Sequence, residues 1–213
     1  LNYSFGTDDN STPLNFTDNK NVIIVMAAGN DSDTPNGYDI FGDGKNIDGS
    51  TDPLENIEIA LLESSFADNL IAVGALDAND NIANYSTIAG SSYDGSSYAF
   101  IVDDGTVSMV INTTTKTNGL LNMTYEGSTV SGTFDATLTD ELTVSTFGTS
   151  YAAPRVTGKI AITSQKFPNL NAEQLVNLAK YTAIDLGDKG VDQVYGHGKI
   201  NLTGMLSPIG RLK

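Results

Sequence analysis

The sequence predicts an α/β fold: a parallel sheet flanked by helices, carrying an antiparallel β insertion ahead of a long helix. Three observations support it. Residues 22–28 and 70–76 are short, continuous apolar runs rich in β-branched side chains and lacking polar alternation, the pattern of strands covered on both faces. Val156, Ile160, Thr163 and Phe167 recur at spacings of four, three and four residues, which lays one apolar stripe along a helix. Between these regions, residues 108–145 alternate apolar with Ser and Thr, as half-exposed antiparallel strands do.

Taken in order, residues 1–6 read as a strand that begins without a lead-in, and since a buried edge needs neighbours, a preceding segment is expected. Residues 8–21 are a polar connector, and 22–28 form a strand closed by Gly29-Asn30. The stretch 31–53 is a long loop of Gly, Asp, Asn, Ser and Thr. Its Asp31, Asp33, Asp39, Asp43, Asp48 and Asp52 make calcium a candidate ligand. The spacing does not form a complete EF-hand, however, because Lys45 interrupts it and no terminal Glu follows; a solvated acidic loop is the simpler expectation. Leu54, Ile57, Leu61 and Leu62 recur at helical spacing.

Residues 70–76 form the next strand, 82–97 a loop, and 98–102 another strand. The insertion at 108–145 should hold two to four strands, with Asn118-Gly119 as a hairpin signal and a further joint at Glu126-Gly127-Ser128. The helix with the apolar stripe ends before Pro168. Asn171 with Gln174 predicts a capping box for a second helix reaching Ala183, with Leu175, Leu178, Ala179 and Thr182 on its inner face. Residues 200–206 close the domain.

The 213 residues suffice for one sizeable core or a large part of a bigger domain. A formal charge of −15 argues against nucleic acid and anionic membrane as partners. Cysteine is absent, which removes disulfides and thiol chemistry and fits a bacterial protein that is secreted or displayed at the cell surface. No apolar run is long enough to span a bilayer, so no membrane contact is expected of this chain.

The stretch Phe147-Gly148-Thr149-Ser150-Tyr151-Ala152-Ala153-Pro154 is an unusual way to begin a helix. Gly148 permits a tight bend, Thr149 or Ser150 can cap, and Pro154 is expected in or near the first turn, where backbone donors have no intrahelical acceptor. Ser150 is thereby placed at a helix N-terminus, where free N–H groups and the dipole favour negative charge beside its hydroxyl. An ordinary N-cap is the plain alternative.

With Val156 and Gly158 following, this stretch resembles the Gly-Thr-Ser-x-Ala-x-Pro motif of the subtilisin-like serine proteases. The strand closed by Ala27-Ala28-Gly29-Asn30 is similar to the family's strand whose Asn supplies an oxyanion-hole donor, and Leu1-Asn2-Tyr3-Ser4-Phe5-Gly6 to the strand lining its substrate cleft. Residues 70–75 and 195–202 continue the similarity, and 206–210 look like the point where autotransporter-type members leave the protease domain. The family's connection before the serine motif is usually shorter, so the resemblance lapses in the insertion. What it implies is a serine endopeptidase in which Ser150 attacks while Asn30 and the Ser150 N–H bind the oxyanion. A polypeptide substrate would add as a strand along Ser4, Phe5 and Gly6, with Ala27, Ala28 and Gly29 beside a roomy pocket. No cofactor is required. Asn30 could instead be a turn residue closing its strand, its usual role, but its position directly after Ala27-Ala28-Gly29 favours the functional one.

The base is the missing piece. His197 is the only histidine and follows the serine, between Gly196 and Gly198, whereas the family order is Asp, His, Ser. The resemblance therefore implies that Asp and His come from an N-terminal fragment of the same precursor, as a preceding segment or a separate chain. A catalytically inactive relative that binds peptide or serves in adhesion is the alternative.

Overall fold

The computed structural model describes residues 2–3, 21–30, 67–90, 93–96, 98–125 and 128–207, and only the backbone over 109–144. The acidic loop 31–53, the helical pattern at 54–66 and the predicted cleft residues Ser4, Phe5 and Gly6 lie outside the described residues.

Two compact units divide the chain, one of residues 1–106 and 147–213 and one of 107–146. The first is built on a four-stranded sheet of β1 (Asn2–Tyr3), β2 (Ile24–Ala27), β3 (Leu70–Leu76) and β4 (Ala99–Asp104), in that order. Every pairing is parallel, with Val25 opposite Ile71 and Ile71 opposite Ala99. The apolar runs lack alternation because both faces are buried. Val25, Ile71, Val73 and Ile101 point into a cluster shared with helices, while Ile24, Met26, Phe100 and Val102 point into a second cluster with Tyr93 and Tyr98. Gly74 fits this close packing, since a Cβ there would stand 2.9 Å from the Phe100 ring.

A 3-10 turn (Ala67–Asn69) leads into β3, and three helices follow the sheet: α1 (Thr149–Lys166), α2 (Ala172–Thr182) and α3 (Leu202–Met205). Val156, Ile160 and Thr163 of the predicted stripe are buried, and Phe167 lies just past the end of α1 as its C-cap. Pro154 sits one turn deeper than the sequence predicts, at the sixth helical position. Its ring removes a single bond, the one that would reach the Ser150 carbonyl, so the helix continues through it. Neither Thr149 nor Ser150 caps the helix; the N-cap is Gly148, without a side-chain hydrogen bond. The Thr149 hydroxyl is instead engaged in tertiary contacts.

The capping box at α2 is formed in both directions: Gln174 N–H donates to Asn171 Oδ1 at 2.8 Å, and Asn171 N–H to Gln174 Oε1 at 3.0 Å. Leu175 and Ala179 are buried as predicted, together with Val176, which the periodicity left out.

The second unit is a two-stranded sheet of β5 (Thr106–Tyr125) and β6 (Ser128–Phe147), each of 20 residues. Ser108 near the start of β5 and Ser145 near the end of β6 place their hydroxyl oxygens 3.2 Å apart, so the strands run antiparallel. Asn118-Gly119, which the sequence marks as a turn, lies within β5. With Ser108 opposite Ser145 the chain reverses only beyond Tyr125, which leaves the dipeptide in the middle of the ladder.

The capping box sets a measurable expectation. Asn171→Ala should cost about 1 kcal/mol of unfolding free energy, read as a lower urea midpoint with an unchanged slope.

Candidate active site

The site grows from the carboxyl ends of β2 and β4. Beyond the last residue of β2, Ala28 N–H still donates to the Val73 carbonyl at 3.0 Å, after which Gly29 turns away with φ of 114°. Glycine is needed here on two counts: the positive φ, and the 2.8 Å separating an added Cβ from Thr87 Oγ1. The turn delivers Asn30 to the start of α1. Asn30 Oδ1 accepts the Thr149 N–H at 2.7 Å and the Thr149 hydroxyl at 3.0 Å, while Gly29 N–H donates to Thr149 Oγ1 at 3.2 Å. One of the orphan donors of the helix is thus satisfied by a side chain 119 residues earlier. Because a backbone N–H only donates, the oxygen of the amide must face Thr149, and Nδ2 faces away.

Ser150, the second residue of α1, is partly exposed, and among the described residues neither its hydroxyl nor its N–H has a hydrogen-bond partner. The Ser150 N–H and the Asn30 side chain, which is bound to the residue before it, lie at the positive end of the helix. Behind them, Gly148 N–H donates to the Gly105 carbonyl at 2.9 Å and Gly105 N–H to the Leu76 carbonyl at 3.2 Å. A Cβ on Gly105 would lie 2.6 Å from that of Ala75 and 2.7 Å from the Tyr85 hydroxyl, so the loop closes onto the sheet only with glycine there. Tyr85 stacks on Phe147 with ring centroids 4.8 Å apart. Burial raises the Tyr85 pKa, outweighing a backbone hydrogen bond with Gly148.

Of the predicted site residues, then, the fold brings Ser150 and Asn30 together through Thr149. Ala27 and Gly29 are partly exposed, whereas Ala28 is 1% exposed and packs with Ile24 and Met26 in the core. Thr149, fully buried, was expected from the sequence only as a candidate helix cap; its bonds to Asn30 and Gly29 were not foreseen. Among the described residues no group of three or more His, Asp or Glu side chains is arranged to hold a metal.

His197 belongs elsewhere. Its N–H donates to the Phe100 carbonyl, near the start of β4, whereas the serine loop is tied to Gly105 just past its end. Five residues of extended chain separate the two attachment points, about 16 Å. The ring stands edge-on to Tyr93, and Nε2 is buried without a hydrogen-bond partner among the described residues. Burial and then the Lys180 ammonium push the His197 pKa down to about 4, opposed by a backbone interaction with Gly95.

The profile of the Subtilase family (Peptidase S8) matches residues 1–198 of the 213. The chain belongs to the subtilase family. It is 30% identical over 188 residues to serotype-specific antigen 1 of Mannheimia haemolytica, covering 86% of this chain and 16% of that protein. It is 49% identical over 55 residues to an extracellular serine protease of Serratia marcescens, covering 26% of this chain and 5% of that one. The crystal structure of MycP1 from Mycobacterium smegmatis shares the fold, with a TM-score of 0.52 and 22% identity over 90% of this chain and 43% of that one. The chain therefore spans less than half the length of each of these relatives.

The subtilase fold holds His197 neutral, and this gives stability a defined pH dependence. Between the ordinary value of 6.5 and about 4, the unfolded chain takes up a proton at His197 that the folded chain refuses. The contribution is complete above pH 6.5 and is lost as the pH falls through this window. Urea midpoints measured from pH 7 to 4 should fall more steeply for the parent than for His197→Gln, whose slope over that range lacks this component.

Proposed function

We propose that this chain is the serine-bearing part of a subtilisin-like endopeptidase, acting outside the cell or at the surface of a bacterium. The observation that carries the reading is the Thr149 N–H bond to Asn30 Oδ1, which ties the Asn30 amide to the residue before Ser150. Membership of the subtilases and the printed name of the Serratia relative, an extracellular serine protease, support it.

In this reading Ser150 Oγ attacks the scissile carbonyl carbon while a histidine accepts the hydroxyl proton. The carbonyl oxygen becomes an anion, held by Ser150 N–H and Asn30 Nδ2 in a site that is already aligned. Collapse expels the amine, which leaves with the proton from the histidine, and water then hydrolyses the acyl-serine by the same route reversed. His197 does not fit as that base, being tied to the opposite end of β4. An N-terminal fragment of the same precursor, attached or separate, supplies the histidine and its orienting Asp. The polypeptide substrate lies as an added strand along Ser4, Phe5 and Gly6, with its side chain near Ala27 and Gly29. The reaction requires no cofactor, and calcium bound in the acidic loop 31–53 would serve structure only.

The test is the reaction of the full-length protein with a fluorophosphonate, followed by intact mass and peptide mapping. A single adduct on Ser150, abolished in Ser150→Ala, is expected. A protein that remains unlabelled while folded is not a protease, and the reading as an inactive peptide-binding relative takes its place. Asn30→Asp separates the two duties of Asn30. An aspartate still accepts the Thr149 N–H and suits a helix N-terminus, so thermal stability should hold. It offers no donor and repels the oxyanion, so kcat should fall about a hundred- to a thousandfold with KM little changed.

A further inference from the structure

The face of α1 that meets the sheet near Ser150 is smooth. Ala152 and Ala153 are fully buried there and Val156 follows, so the first apolar contact of the helix consists of small side chains with little to key its rotation or its position along its axis. Polar groups along the run from Asp103 to Thr106 supply what the alanines lack. Asp103 is 2% exposed, and an ionised carboxylate at that depth needs compensation. Its Oδ1 accepts the Asp104 N–H at 3.0 Å, and its Oδ2 accepts Lys159 Nζ of α1 at 2.5 Å. One helical turn before Lys159, Arg155 uses two nitrogens at once, donating to the Thr106 carbonyl at 2.7 Å and pairing with the Asp104 carboxylate at 3.2 Å. The adjoining Gly105 carbonyl accepts Gly148 N–H. Three successive residues of the β4 edge thus engage the helix at Lys159, Arg155 and Gly148, so that sliding or turning α1 breaks bonds at three points along its length.

We propose that the half-buried Asp103–Lys159 ion pair, assisted by the Arg155 fork, is a positioning device for the nucleophile: it sets the rotation and axial position of α1, and through them where the Ser150 hydroxyl stands relative to Asn30. Asp103, Lys159 and Arg155 touch no substrate atom; they act through the helix. The inference rests on the protease reading above. An ion pair with a buried carboxylate is a poor device for stability alone, because taking that charge out of water offsets much of the attraction and an apolar pair of similar volume often replaces it without loss. What it supplies is direction, since a charged fork is satisfied in one geometry whereas methyl groups are satisfied in many.

The experiment uses the full-length protein and compares the Asp103→Leu/Lys159→Met double variant, Lys159→Arg, and Arg155→Met at the more exposed fork. Three quantities are read: the thermal midpoint, the second-order rate of fluorophosphonate reaction at Ser150 and, on a peptide substrate, kcat and KM separately. The double variant should remain folded near the parental midpoint while Ser150 reacts about ten- to a hundredfold more slowly, with the loss in kcat rather than KM. Arg155→Met should show a smaller loss of the same kind without a change in midpoint, and Lys159→Arg should retain most of the parental rate. Parental reaction rates in folded double variant and Arg155→Met would falsify the proposal, as would a rate loss that merely follows the fraction unfolded. Should the unmodified protein show no adduct, the protease reading fails, and this inference with it.

Discussion

One hydrogen bond, from the Thr149 N–H to Asn30 Oδ1, holds the candidate site together. A helix N-terminus presents donors with no acceptor of their own, and most helices recruit a Ser, Thr, Asp or Asn at the adjoining residue to accept one of them. Here the adjoining residue is Gly148, which has no side chain to offer, and the acceptor arrives from the end of β2. The consequence is geometric. An acceptor supplied from within the helix would say nothing about the sheet, whereas this one ties the first turn of α1 to a particular strand. It also explains why asparagine suits position 30 better than the other capping residues. Aspartate would accept as well but could not donate, and serine is too short to do both at once; the amide accepts from Thr149 with one atom and retains donors on the other.

Around this bond, the sheet conveys rigidity through main-chain contacts. The Leu76 carbonyl receives Gly105 N–H, the Gly105 carbonyl receives Gly148 N–H, and the next peptide N–H along is the one bound by Asn30. Each partner in this relay is anchored in β3 or at the end of β4, both paired over their length and buried on both faces. The approach is close enough to require glycine at 105, and the same closeness sets the Tyr85 hydroxyl beneath the loop and stacks its ring on Phe147. Phe147, three residues before Ser150, remains 65% exposed, an apolar surface in a region otherwise defined by backbone donors.

The parts legible in the sequence were those whose cause is local. A run such as 70–76 without polar alternation announces a doubly covered strand, and Asn171 with Gln174 announces a helix start, because each depends on neighbours within a few residues. Ser150 and Asn30 stood out through motifs, yet the bond that ties Asn30 to the residue before Ser150 did not, since nothing near Thr149 reveals an acceptor 119 residues away. The same limitation explains the end of β4. The sequence reads as if the strand closes at Val102 because two aspartates follow; it continues through Asp104 because Lys159 and Arg155, more than fifty residues on, compensate them. Asn118-Gly119 failed in the opposite sense, a strong local signal overridden by the long antiparallel pairing in which it is placed.

The two ends of β4 differ in what they leave exposed. At its start, the segment around His197 runs beside the strand: His197 N–H binds the Phe100 carbonyl, Val102 N–H the Gly198 carbonyl, and Ile200 N–H the Val102 carbonyl. This segment covers the outer edge of β4, and the turn that brings it there uses positive φ at both Gly196 and Gly198. A histidine held neutral by burial is well suited to fill such a turn, but its Nε2 faces protein rather than a cleft, and the backbone groups around it are paired. At the carboxyl end the situation is reversed, for there the strands stop and a helix begins. Helix donors are left over there, and one of them, the Thr149 N–H, is taken by Asn30 beside the Ser150 hydroxyl. Parallel α/β sheets place their ligands at this end because there the topology leaves oriented polar groups without partners, and in this chain the common direction of the strands, not the presence of an ionisable side chain, determines which end does so.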